Sequence, residues 1–535
     1  MPDTEKVEKA NNLMDENSKY SRYVIYVIII STIIRGFLAG MLELGNDEVY
    51  YRLYALYPDW SHFDHPLMIG LVIQLSTLNL LFQSEFFLRL GSVIIGAINL
   101  WIIFNIGKEI KDSRTGYYAS LLYAASVYST IITGVFILPD TPQSLFWMWA
   151  MYLIIKTVPK CPRLPMSGIN MLKVGVVIGL GILSKYTTVF LWFGIGVYIL
   201  AYNREWLKSR WLYYSILATV IFALPILIWN LQNDFISLTF HSERVDMSGY
   251  TINLNYLLTE IGGELLYNNP VNFVLIILGI IAAFRGKLKI EKKYTRVILL
   301  TGLPLIITFL IFSMFRSTLP HWTAPGYTTL IILAAVYLSQ LHPKEKPGLP
   351  VAIITSLILL VVVIILGLTQ INYGIFTLDK TTEYHRIGKN DFSLDMYGYK
   401  ETGEAFEQIM ERDIEQDLMS ENSILVGSNW FPLANYDYYA ASPAGLLSFG
   451  IGKLERIHKY AWINNIQGGF NIGMDAYYIT DSREYHKPDS IYYTYFEKVI
   501  AADTIQIYRN GKIAKRAFVF RMKNLQTIPE DQLSN

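Results

Sequence analysis

Long apolar runs, joined by connections of which every second one is basic, leave this chain few ways to fold. A bilayer hydrocarbon core about 30 Å thick takes roughly 20 apolar residues in helix. Runs of this kind begin near Arg22, Phe86, Gly116, Thr141, Leu172, Tyr186, Trp211, Val271, Arg296, Thr323 and Leu349. They predict an α-helical polytopic membrane protein with about eleven transmembrane helices. Composition agrees: of 535 residues 52% are hydrophobic and 17% charged, against roughly 25% charged in a soluble domain. Mean hydropathy is +0.31. A net charge of +1 gives no footprint for nucleic acid, and the one cysteine, Cys161, excludes an intramolecular disulfide. The first apolar run, Tyr23 to Gly40, reads as an uncleaved signal anchor.

The basic connections fix an orientation. Lys108, Lys111 and Arg114 follow the second run, and Lys156, Lys160, Arg163 and Lys173 the fourth. Arg204, Lys208 and Arg210 follow the sixth, Arg285, Lys287, Lys289, Lys292 and Lys293 the eighth, and Lys344 and Lys346 the tenth. The N-terminus, residues 1–21, is expected in the cytoplasm and the chain beyond about Ile371 outside. The expected domains are a membrane catalytic domain over 22–371 and an extracytoplasmic α/β domain over 372–535. Within the tail, a helix is expected around Glu401 to Leu418, a β run at Ser423 to Val426 and a hairpin turn at Asn510-Gly511. Residues 41–85 form the first outer loop, with an interfacial helix after Pro66.

The chemistry-bearing residues all map to the outer side. GNDEVYY (Gly45 to Tyr51) puts Asp47 and Glu48 just past the first span, where they are either headgroup-solvated or turned to a substrate. DWSHFDHP (Asp59 to Pro66) carries His62, Asp64 and His65 among aromatic residues, in a spacing that fits no standard metal-ligand pattern. LPDTPQ places Asp140 at a helix mouth, as an N-cap or as a site acid. Lys185, in GLGILSKYTT, can snorkel to headgroups or hold a lipid phosphate. RSTLPHWTAP adds Arg316, His321 and Trp322, and the longer loop before it offers His241, Glu243 and Arg244.

In order and wording these motifs resemble bacterial members of the protein O-mannosyltransferase-like superfamily. That group includes the family 39 enzymes and the transferase that adds aminoarabinose to lipid A. The resemblance is clearest over about Leu42 to Tyr186, with weaker support at Arg316 to Tyr327. It implies a GT-C fold and a glycosyltransferase of the bacterial inner membrane. The implied donor is a polyprenyl-phosphate-linked sugar, and the acceptor an extracytoplasmic protein, lipid A or polysaccharide. By it, Asp47, Glu48, Asp64 and Asp140 are the acids, with Asp47 foremost, and Lys185 contacts the lipid phosphate. Tyr50 and His65 stand where the aminoarabinose enzyme has an arginine and a lysine, so the sugar and acceptor are left open. With His321 and Trp322 they are candidate substrate contacts, and Arg316 is a second phosphate candidate. No Gly-rich nucleotide loop is present, as befits a lipid-carried donor; no cofactor is indicated, and a divalent metal at His62, Asp64 and His65 is left open. A transporter or flippase, an oligosaccharide ligase and an inactive binding protein remain as alternatives.

Overall fold

The computed structural model describes residues 2–245, 251–342, 348–488 and 491–533; Lys344 and Lys346 lie outside them. The chain forms two compact units, one of residues 1–39 with 59–362 and the other of 40–58 with 363–535.

Every anticipated apolar run carries a helix. The chain opens with α1 (Pro2–Met41); α2 (Asn46–Leu56) belongs to the second unit. Then come α3 (Met68–Ser76), α4 (Glu85–Ile110), α5 (Ser113–Ala125), α6 (Asp140–Thr157), α7 (Ser167–Ile182), α8 (Phe190–Tyr202) and α9 (Arg210–Gln232). After α10 (Ile236–Val245) follow α11 (Leu254–Tyr267), α12 (Pro270–Phe284), α13 (Lys292–Ser313), α14 (Ala324–Leu341) and α15 (Val351–Tyr373). Among the described residues, six helices (α1, α4, α9, α13, α14 with its leading turn, and α15) are long and apolar enough to cross a bilayer. The pair α11 and α12 passes the same test together but bends by 102° at Asn268-Asn269. The others expected to span are shorter or more polar.

Small residues let these helices close up. A Cβ on Gly175 of α7 would lie 2.0 Å from the Ser215 carbonyl oxygen of α9. Helix packing in a bilayer relies on such close approach, because lipid tails are as apolar as leucine. Polar side chains bridge the same unit. Asn99 donates to Ser144 (2.9 Å), Trp147 to Thr329 (2.8 Å) and Asn272 to the Leu122 carbonyl (2.7 Å).

The basic connections gather at one end. Lys160 pairs with Glu109 at 3.4 Å, and Lys111 donates to Ser339 at 2.6 Å. Asp140, Lys185 and His321 stand at the opposite ends of their helices, since α6 begins at Asp140 and ends beside Lys156, α7 ends before Lys185 and α14 starts after His321. The alternation read from the sequence is thus also a segregation in space.

The second unit is α/β. Its helix α16 (Tyr399–Glu415) is amphipathic, and among the described residues its strands are β1 (Ile424–Gly427), β2 (Ser448–Gly450), β3 (Ala476–Asp481), β4 (Phe496–Arg509) and β5 (Lys512–Leu525). The sheet order is β2-β1-β3-β5-β4, parallel over the first three strands and antiparallel thereafter. β4 and β5 join through Asn510 and Gly511, at φ 50° and 73°; positive φ at both positions is what a tight hairpin turn demands. Buried Asp413 of α16 receives Arg521 of β5 at 2.6 and 2.7 Å, fixing helix to sheet.

Candidate active site

The turn before α6 sets the first element of the site. A π-helical turn, Tyr128–Ile132, interrupts the run after α5. Such widened turns concentrate at functional positions. Here it brings the Tyr128 hydroxyl to 3.4 Å from Asp140 Oδ1. Asp140 is the first residue of α6, and the N-cap position is held by Pro139. Its other oxygen meets Lys185 Nζ at 2.8 Å, with both side chains more than nine-tenths buried. Of the readings open from sequence, the structure therefore sets aside both the helix cap for Asp140 and the snorkelling lysine for Lys185. Gln143, one turn into α6, donates to Thr187 (2.7 Å) and Thr188 (3.2 Å), which locks the Lys185 turn against the helix.

The Asp64-His65-Pro66 corner packs beside this pair. A bridge between Ser61 and Pro66 closes the corner, Met68 N–H donates to the Leu183 carbonyl, and His241 Nε2 bonds the Asp64 carbonyl oxygen at 2.7 Å. His241 also packs on Tyr186, ring centroids 5.1 Å apart, and faces His65 at 6.0 Å. Burial pushes the His65 imidazole down to about 3; the Asp64 charge opposes this, and Lys185 adds to it. His65 is thus a neutral ring at neutral pH. His321 is close enough to feel both Asp140 and Lys185, and its ring lies 6.0 Å from that of Tyr267. Trp322 packs on Phe309 at 5.5 Å. Arg316 is half-buried in the turn after α13.

A cavity of about 290 Å³ opens onto these groups, lined by His65, Lys185, Tyr186, His241, Phe309 and Trp322 among others. Its walls are mostly aromatic and apolar, with Lys185 as the cation. An apolar slot ending in one buried ammonium suits an amphiphile with an anionic head. Among the described residues, no three His, Cys, Asp or Glu side chains are grouped so as to hold a metal ion.

Two buried acids had no signal in sequence. Glu260 accepts from Thr318 (2.7 Å) and Glu264 from Tyr327 (2.8 Å). They lie one turn apart on α11, a helix that the sequence read as an undifferentiated loop. The side chains of Glu243 and Arg244 lie outside the described residues.

Asp47, Glu48 and Tyr50 belong to the second unit. Glu48 is buried, and its carboxylate accepts the Gly45 N–H at 2.8 Å, closing the start of α2. Asp47, beside it, is exposed. Tyr50 is buried among aromatic rings, 4.9 Å from Trp430 and 5.9 Å from His458.

Residues 64–229 match the family model described as dolichyl-phosphate-mannose-protein mannosyltransferase. The lipid A galacturonosyltransferase RgtD of Rhizobium johnstonii is 20% identical over 403 residues, 75% of this chain and 80% of the relative. The crystal structure of ArnT from Cupriavidus metallidurans in the apo state superposes with a TM-score of 0.62 at 13% identity, covering 94% of this chain and 98% of that one. The same protein bound to undecaprenyl phosphate gives 0.61 at 14% identity, with the same coverage.

Proposed function

We propose that this chain, an aminoarabinose-transferase-like glycosyltransferase of the GT-C type, moves a sugar from a polyprenyl-phosphate carrier to an extracytoplasmic acceptor such as lipid A. The observation that carries the reading is the Lys185–Asp140 pair, buried at 2.8 Å beside an apolar-walled cavity. Burying an ion pair is costly, and its loss of hydration is rarely recovered in stability alone. A carrier phosphate entering the cavity would share the Lys185 ammonium with Asp140. The match to RgtD supports a lipid A acceptor, and the undecaprenyl phosphate bound by ArnT supports the carrier.

In the transfer, an acceptor hydroxyl oxygen bonds to the anomeric carbon as the bond from that carbon to the phosphate oxygen breaks, with inversion. The hydroxyl proton passes to a carboxylate. Asp47 is assigned that role on its place in the acidic motif after α1, with Asp64 or Asp140 orienting. General-base help of this kind is typically worth ~10²–10⁴-fold. The leaving phosphate gains charge, which Lys185, assisted by Arg316, stabilises. Neutral His65, with His321 and Trp322, offers contacts for the sugar. The segregated basic loops support a cytoplasmic N-terminus and a C-terminal unit outside the bacterial inner membrane.

Lys185 is tested by donor binding. Removing it alone strands a buried carboxylate, so the informative variant is Lys185→Met combined with Asp140→Asn, which leaves no unpaired charge. The expected result is a folded protein that no longer binds polyprenyl phosphate. Binding at the wild-type level would remove the pair from the donor site.

A further inference from the structure

At the basic end of the first unit a second, larger groove lies between α8, α12 and α13. Its volume is about 600 Å³, and it shares no lining residue with the Lys185 cavity. One wall is a single stripe of α13. Lys292 and Arg296, four residues apart, share a helical face. That face continues through Leu299, Leu300, Leu303 and Ile307, all lining the groove. The opposite side includes Tyr202 and Phe284. The stripe therefore changes from cationic to apolar along its length.

An orientation signal alone needs only an excess of Lys and Arg in the loop. Here the charge is also placed. Lys293 is satisfied by Glu291 at 2.6 Å, and Glu291 is the only acid between Arg285 and Arg296. Neither Lys292 nor Arg296 has an ion pair with a described residue. Arg296 instead lies over the Tyr202 ring at 4.2 Å, both groups at the groove. This contact holds the guanidinium against the groove while leaving its donors for an outside acceptor. From Arg296 to Ile307 the helix rises by roughly 16 Å, about half of a ~30 Å hydrocarbon core. The groove is thus one leaflet deep, which matches a two-tailed lipid better than a long polyprenyl chain.

We propose that this groove is a specific site for an anionic glycerophospholipid, its phosphate on Lys292 and Arg296 and an acyl chain along Leu299, Leu303 and Ile307. The site is separate from sugar transfer and anchors the α8–α13 contact in the leaflet.

Native mass spectrometry of the full detergent-solubilised chain tests it, with phosphatidylglycerol, phosphatidylcholine of the same acyl chains, and inorganic phosphate as probes. Two cations at the surface are expected to favour phosphatidylglycerol by about tenfold or more over phosphatidylcholine. Lys292→Ala with Arg296→Ala removes that preference. Leu303→Trp, which fills the groove and keeps both cations, lowers retention of both lipids. Equal retention of the two lipids by the wild type, a preference that survives in the double variant, or inorganic phosphate displacing phosphatidylglycerol would each overturn the proposal.

Discussion

Asp140 and Lys185 lie 45 positions apart, and each had an ordinary alternative, a helix cap for one and a snorkelling cation for the other. What sequence supplied was the expectation of a common side; what it could not supply was their pairing, which depends on how the Lys185 turn docks on the first turn of α6. Tyr128, which meets Asp140, opens a π-helical turn, and neither its type nor its spacing announces that contact. Glu48 is a different case. Its carboxylate closes its own helix at Gly45, a capping arrangement usually signalled by Ser or Thr and here masked by glycine. His65 yields a pH prediction. Its folded value of about 3 lies below the ordinary 6.5, so between those values the unfolded chain binds the extra proton. Stability from His65 is therefore complete above about pH 6.5 and is lost as pH falls toward 3. His65→Gln should melt with a smaller drop between pH 7 and pH 5 than the wild type, whereas equal drops would show that His65 takes up protons alike in the folded and unfolded chain.

At the scale of elements the sequence was most informative. Hydropathy placed a helix at every apolar run, α3 where an interfacial helix was expected, and Asn510-Gly511 at a hairpin. These follow from local periodicity and turn chemistry, which need no knowledge of neighbours. Helix length was less legible: α5, α7, α8 and α12 are shorter than a bilayer crossing requires of a straight helix, and the break at Asn268-Asn269 divides what hydropathy treats as a loop and a span. Packing explains where glycine is obligatory. Gly175 meets the α9 backbone, while Gly196 of α8 has no described residue within 4 Å of its Cβ position. Gly175→Leu should lower the melting temperature sharply, as overpacking costs typically 1–3 kcal/mol or more, and Gly196→Leu should change it little. Equal effects would show that the α7–α9 contact is not close-packed.

Over the whole molecule, composition separated a membrane part from a polar tail, but it did not show that 40–58 folds with the C-terminal residues. That segment is short, and its aromatic residues suit an interfacial belt as well as a packed cluster such as Tyr50 with Trp430. The fold over nearly the full chain is that of ArnT. The motifs that carried the resemblance thus reported an architecture that overall identity, at 13%, barely records. In the proposed mechanism Asp47 is the base and Lys185 the phosphate ligand of the transfer. The most direct test is single-turnover transfer from a labelled polyprenyl-phosphate sugar to lipid A by purified Asp47→Asn protein with wild-type melting behaviour. The predicted result is a loss of at least about 100-fold in transfer with donor binding retained. Transfer at the wild-type rate would contradict it.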